Sequence, residues 1–265
     1  MNDVKSQSLR DELFAQPLGR VGDFRFDASV AAVFDDMIAR SVPGYGTIVA
    51  MIPTLVRRHV RADTDVYDLG CSTGAGSLSV AAHLPPEHSG TRIHAIDSSA
   101  AMIDALHRRL SMDDPAAGVP IRGVPSQGVS GRNRIEPRLA DVRDVAIERA
   151  SLVLMNFTLQ FIAPEERDSV VRRIAAGLLP GGALMLSEKV TGSDPPSTLL
   201  DQLHVDFKRA QGYSELEIAQ KRTSLENTLR TDPVPVHLDR LERAGFRVAA
   251  PWFSCLGFVS ILATK

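Results

Sequence analysis

Four polar residues that follow apolar runs carry the chemistry of this sequence. The run VYDLGCSTGAG (66–76) passes from apolar residues through Asp68 to Gly70, Gly74 and Gly76. Glycines at such a turn let the backbone reverse sharply and let a ligand come close to the main chain. Asp68, just ahead of the turn, can accept a hydrogen bond from an ammonium group. Asp97 closes the next apolar run, where an acid usually holds ribose hydroxyls. Asp141 and Val142 follow a third run in LADV (139–142), and Asn156 follows a fourth in LMNFTLQF (154–161).

Two nucleotide readings compete for this pattern, and a structural glycine turn without a ligand is the plain alternative to both. A dinucleotide fingerprint needs G-x-G-x-x-G, and GAGSLS (74–79) has Ser79 at the third glycine position. The D-x-G-x-G-x-G turn of S-adenosylmethionine (SAM) enzymes fits better through Asp68, Gly70, Ser72 and Gly74, with Ser72 replacing the middle glycine. In that reading Asp141 and Val142 stand where the adenine amino group is contacted. Asn156 stands at the mouth of the site, or is simply a turn former. Asn-Phe-Thr-Leu (156–159) is not the Asn/Asp-Pro-Pro-Tyr signature of enzymes that methylate base amino groups, which argues against that chemistry.

The elements that must position these residues alternate. Strands are expected at 65–70, 91–99, 135–141, 150–157 and 183–189, with helices at 76–84, 100–110 and 165–178 between them and PGG (180–182) as a turn. Pro137 weakens the third strand. Strand–helix alternation implies a mostly parallel sheet covered on both faces. Helical spacing at 28–42 and 47–60, the latter with Pro53 as a bend, precedes the first strand, and 20–27 reads as an extended arm or cover. Helical segments at 197–211, 214–230 and 234–244 precede two closing strands within 246–265, joined tightly so that one runs antiparallel. The expected whole is one SAM-binding α/β domain over 1–265, Rossmann-like, with a seven-stranded sheet and one antiparallel strand. A helical cover is expected at 1–60 and a dimer or active-site cover at 197–244. The Gly-, Pro- and Ser-rich stretch 112–133 is long for a βα connection and reads as a surface insertion, a lid being one option.

Bulk properties narrow the class. The chain has 265 residues, 44% hydrophobic and 23% charged, with a formal net charge of -2, so nothing marks a non-specific nucleic-acid or membrane-surface binder. Two isolated cysteines, Cys71 and Cys255, make neither a disulfide framework nor a zinc site and fit a reducing, cytoplasmic setting. No apolar run reaches membrane-spanning length, and the N-terminal residues lack an apolar signal core.

The run SELEIAQKRTSLENTLR (214–230) poses a question of its own. Ser214 and Glu217 make a capping box, and Ile218, Arg222, Leu225 and Leu229 fall on one helical face. A guanidinium amid an apolar stripe must snorkel outward or meet an anion, and an ordinary ion pair is the plain reading. His204 and Tyr213 flank the same helices and read as structural residues.

FDASVAAVFDDMIARSVPGY, VYDLGCSTGA, MNFTLQF, PGGALMLSEK and DFKRAQGYSELEIAQKRTSLENTL together resemble the carboxy-S-adenosyl-L-methionine synthase family. The likeness runs over roughly 11–110 and 138–265. Ser98 departs from the Asn expected after Asp97, and the 112–133 insertion is longer than the pattern expects. The resemblance implies conversion of SAM and prephenate to carboxy-SAM and phenylpyruvate. It also implies a homodimer without a metal, and a tRNA carboxymethyltransferase that uses the product on a wobble uridine. Carried over, Tyr45, Gly70, Cys71, Ser72, Asp97, Ser98, Asp141, Val142, Asn156 and Arg222 line the ligand site, with Arg222 the catalytic candidate. This gives the arginine a purpose. A guanidinium about 5 Å from the sulfonium of SAM repels it by roughly 3 kcal/mol at an effective dielectric near 20. A carboxylate on the methyl carbon reverses that sign through a bidentate pair. Whether Arg222 serves its own subunit or its neighbour stays open. An ordinary SAM-dependent methyltransferase for a small acid, or a non-catalytic SAM-binding subunit of a tRNA-modifying complex, shares the same cofactor residues.

Overall fold

The computed structural model describes residues 10–111, 131–192 and 195–265. The 1–9 segment and most of the 112–133 insertion lie outside the described residues. Helices α1 (Ala28–Ser41) and α2 (Tyr45–His59) lead into β1 (Asp65–Leu69), α3 (Ala75–His83), β2 (Arg92–Asp97), α4 (Ala100–Leu110), β3 (Ile135–Leu139) and β4 (Ala150–Asn156). Then come α5 (Pro164–Gly177), β5 (Leu178–Lys189), α6 (Pro195–Ala210), α7 (Glu215–Leu225), α8 (Val234–Arg243), β6 (Val248–Cys255) and β7 (Phe258–Thr264).

The described strands form one seven-stranded sheet in the order β3-β2-β1-β4-β5-β7-β6. β7 is antiparallel to both neighbours and the other pairings are parallel. This is the expected Rossmann-like arrangement. The chain runs outward from β1 through β2 to β3, then crosses to β4. The crevice above the carboxyl ends of β1 and β4 is therefore the switch point at which such sheets bind ligands. The central strands β1 and β4 are buried on both faces along nearly their whole length. One face packs against α2, α3 and α4 through residues such as Ile52, Leu78 and Leu106. The other packs against α5 and α8 through Val171, Ile174 and Leu241. Pro137 sits on β3, the edge strand, where a missing N–H costs least.

Local signals set the ends of the helices. Asp27 accepts from Ser29 N and Val30 N at the start of α1. Pro164, with Glu165 and Glu166, opens α5. The capping box of Ser214 and Glu217 opens α7.

Two expectations need correction. Leu178 pairs with Ala150 in the sheet, so PGG lies inside β5, where the register shifts, and is not a turn ahead of it. The α7 helix ends at Leu225, so Leu229 lies beyond it and the stripe drawn through Arg222 does not exist. The inward residues are Glu217, Ile218, Gln220, Lys221 and Ser224, and Arg222 points to the exposed side. Glu217 is used by its own cap, so the cation that this helix buries is Lys221.

Candidate active site

The first turn is built by hydrogen bonds that only a glycine-permissive backbone allows. The amides of Gly70 and Cys71 both donate to Ile96 O, at 2.8 and 2.9 Å, tying the end of β1 to β2. Gly70 has φ +78°, and a Cβ there would fall 2.1 Å from Thr158 Oγ1. A side chain is excluded twice over, by backbone strain and by the close approach of the loop after β4. Asp97 accepts from Ser72 N and Ser99 N, both at 2.9 Å, which locks Ser72 in its left-handed conformation. Asp68 is buried and accepts from Ser77 Oγ at 2.7 Å. Burial raises the Asp68 pKa to about 6 and also pushes Asp97 upward, so both carboxylates favour an incoming donor or cation.

The loop after β4 forms the opposite wall. Ser260, Ser187 and Asn156 make a hydrogen-bonded chain, with Ser187 Oγ 2.7 Å from Asn156 Oδ1. With its carbonyl oxygen engaged, Asn156 keeps amide donors for the cavity. Phe157 follows with φ +57°, a strained conformation for a bulky residue and one that clusters at functional sites. Glu188 holds the next turn by accepting from Leu159 N and Gln160 N at 2.9 and 2.8 Å. Arg167 bonds Ile162 O and Arg230 O and pairs with Asp232, which fixes the far side of that turn.

These walls enclose a cavity of about 370 Å³, within the range of small-molecule sites. Tyr45, Gly70, Cys71, Ser72, Asp97, Ser98, Asp141, Val142 and Asn156 all line it, as does Asp68. Arg222 is not among the lining residues of the single chain. It is exposed on α7, next in the chain to the lining residue Lys221. Asp141 is clamped by Arg143, which donates from Nε at 2.9 Å and from Nη2 at 2.7 Å. That pairing holds its carboxyl below the usual range and leaves it to accept only at the remaining lone pairs.

Residue reading missed the far end of the cavity. Lys189 from β5, His204 and Lys208 from α6, and Lys221 from α7 all line it, beside Phe157 and Phe258. Lys221 is 6% exposed and reaches Asp11 Oδ2 at 3.2 Å and Ser41 Oγ at 2.9 Å. Tyr213 donates to the same Asp11 carboxylate, and the Arg40 guanidinium lies 3.9 Å above the Tyr213 ring. His204 Nε2 is 2.8 Å from Ser41 O, and its ring packs edge-on against Phe258. Burial and the nearby Lys208 depress the His204 pKa to about 4, so it is neutral near pH 7. Both His204 and Tyr213 are thus tied into structural contacts. The N-terminal arm is strapped over α7: Phe24 N donates to Ser224 O at 2.8 Å, and Gln220 bonds Leu18 N, Phe14 O and Gln16 O. The arm brings Phe24 and Phe26 into the cavity wall.

A signal for this end was present. SEK, DFK and AQK each carry the lysine, and a helix phase through Ile218, Lys221 and Leu225 would have turned Lys221 inward. Among the described residues no group of three His, Cys, Asp or Glu side chains is placed to hold a metal, and no helix is long and apolar enough to cross a membrane.

Comparison with known proteins agrees with this geometry. The methyltransferase domain family model matches residues 67–184, the span from the glycine turn into β5. An O-methyltransferase family protein from Burkholderia thailandensis is similar at TM-score 0.58 and 17% identity, over 90% of this chain and 60% of that one. Human N-acetylserotonin methyltransferase is similar at TM-score 0.53 and 16% identity, over 90% and 55%. These likenesses establish the SAM-methyltransferase fold. The carboxy-S-adenosyl-L-methionine synthase of Salmonella arizonae is 49% identical over 97% of this chain and 98% of its own length. That of Klebsiella pneumoniae is 48% identical over the same shares. Alignments of this extent span the α6–α7 cover and the closing hairpin as well as the nucleotide half, and the chain belongs to the carboxy-S-adenosyl-L-methionine synthase family.

Proposed function

We propose that the enzyme converts SAM and prephenate to carboxy-SAM and phenylpyruvate. Near full-length identity to carboxy-SAM synthases carries this reading, and a cationic far wall beside an anionic cofactor turn supports it. In the proposed step the prephenate ring aromatises as its carboxylate leaves as carbon dioxide and its ring hydroxyl leaves as hydroxide. Hydroxide takes a proton from the SAM methyl group, giving water and a sulfur-stabilised ylide. The ylide carbon captures the carbon dioxide, so every atom is accounted for without a further reactant. The protein's part is to align the two molecules and keep bulk water away.

In this reading Asp68 takes the SAM ammonium group, Asp97 the ribose hydroxyls, Asp141 and Val142 the adenine, and Tyr45, Gly70, Cys71, Ser72 and Ser98 complete the cofactor wall. Asn156 donates at the mouth. Arg222 pairs with the new carboxylate, either within its chain or across a homodimer. The exposed Leu199 and Leu203 of α6 and Leu216 of α7 favour a second copy against this cover. The chain acts as one catalytic unit in the reducing cytoplasm, consistent with two free cysteines, and hands its product to a tRNA carboxymethyltransferase. Purified enzyme given SAM and prephenate should release phenylpyruvate and a SAM derivative heavier by one carboxylate in the mass spectrum. S-adenosylhomocysteine with a methylated acid would instead identify an ordinary methyltransferase.

A further inference from the structure

The far end of the cavity gathers three ammonium groups from three separate elements, Lys189, Lys208 and Lys221. They are not equivalent. Lys221 is neutralised by the buried Asp11 carboxylate and fixed by Ser41, so its role is to anchor α7 over the site. Among the described residues, no carboxylate lies within ion-pair distance of Lys189 or Lys208. The charge of Asp201 reaches Lys189 only from outside that distance. Burial brings the Lys208 pKa down to about 8, and the charges of Lys221, Lys189 and Arg222 add to that effect. Two uncompensated cations lining one cavity are a cost unless an anion joins them. Apolar groups line the same cavity: Tyr45, Phe157, Leu225, Leu229 and Phe258 offer a surface for a six-membered ring. The cofactor turn lies at the other end, by Asp68 and Asp97, so an acid seated on the lysines presents its ring towards SAM.

We infer that Lys189 and Lys208 bind the side-chain carboxylate of the dicarboxylic co-substrate, the one retained in the keto-acid product. This inference rests on the reaction proposed above. It assigns the two carboxylates to different partners: the transferred group to the sulfonium end and Arg222, the retained group to the lysine pair. The pair therefore selects dianionic acids and holds the ring by the carboxylate that does not react.

The test uses full-length enzyme with Lys189→Met and Lys208→Met, which keep the stem and remove the charge, and Lys208→Arg, which keeps the charge. Three quantities are measured: KM for prephenate, inhibition by phenylpyruvate, and SAM affinity by calorimetry as the check on folding. Each Met variant should raise KM and weaken phenylpyruvate inhibition at least tenfold, with SAM affinity within twofold of the parent. Lys208→Arg should recover most of the loss. Changes below threefold in both KM and inhibition, with SAM still bound, would overturn the inference. If the parent binds prephenate without turning it over, the proposed reaction fails, and prephenate affinity in parent and Met variants still decides the lysine assignment.

Discussion

The two ends of the cavity are built in opposite senses. The cofactor end is acidic: Asp68 and Asp97 come from adjacent strands, and burial pushes both pKa values up. The far end is basic: Lys189, Lys208 and Lys221 come from β5, α6 and α7, and burial pushes all three down. Desolvation opposes charge at both ends, and a ligand of the opposite sign relieves it at each. In the proposed reaction one cavity thus holds a cationic nucleoside against an anionic acid. The construction differs too. The acidic end rests on the neighbouring strand ends of β1 and β2 and the backbone turn between them and α3, whereas the basic end depends on Asp11, Ser41 and Tyr213 joining distant segments.

Damage to each end should separate these constructions. Gly70→Val should have the largest effect, because it adds left-handed strain to a collision with Thr158. We expect about 4 kcal/mol of lost stability and no measurable SAM binding in calorimetry. A variant that binds SAM normally would show that the turn tolerates a side chain. Lys221→Met should follow, leaving buried Asp11 with Tyr213 as its one hydrogen-bonding side chain among the described residues. A loss of about 3 kcal/mol in denaturant unfolding is expected, with SAM affinity retained by any molecules that stay folded. A change below 1 kcal/mol would remove the anchor role.

Arg222→Met should cost less in stability and more in selectivity. The parent should bind carboxy-SAM more tightly than SAM by about tenfold or more, as a charge-assisted pair implies. The Met variant should lose that preference and Arg222→Lys should keep part of it. Equal carboxy-SAM affinity in parent and Met variant would contradict the pairing. The smallest expected effect is with pH, and it has opposite signs at the two ends. Asp68 with a pKa of about 6 must ionise to meet the SAM ammonium, so SAM affinity should fall as pH drops below about 6. Lys208 with a pKa of about 8 must stay protonated among Lys189, Lys221 and Arg222, so KM for the acid should rise above about pH 8. Binding profiles shifting in the same direction would refute the opposed design.

This contrast also explains what could be read from residues alone. The glycine turn, Asp97, Asp141 and Asn156 sit at strand ends, so the strand–helix alternation places them at one sheet edge with no knowledge of side-chain packing. The single antiparallel strand follows from the tight connection between β6 and β7. The basic end resisted reading because helix phase at 214–230 is ambiguous. Ile218, Leu225 and Leu229 suggest a stripe through Arg222, whereas contacts with Asp11, Ser41 and the N-terminal arm turn Lys221 and Gln220 inward. Partners some 200 residues away decided that rotation, and no local pattern records them.

An isotope-tracing experiment tests the account most directly. Prephenate carrying a labelled ring carboxylate is incubated with SAM and the enzyme, and the adenosyl product is analysed by mass spectrometry. The account predicts that the label enters a carboxylated SAM, one label for each phenylpyruvate formed. Label released wholly as carbon dioxide, or an unlabelled S-adenosylhomocysteine product, would contradict it.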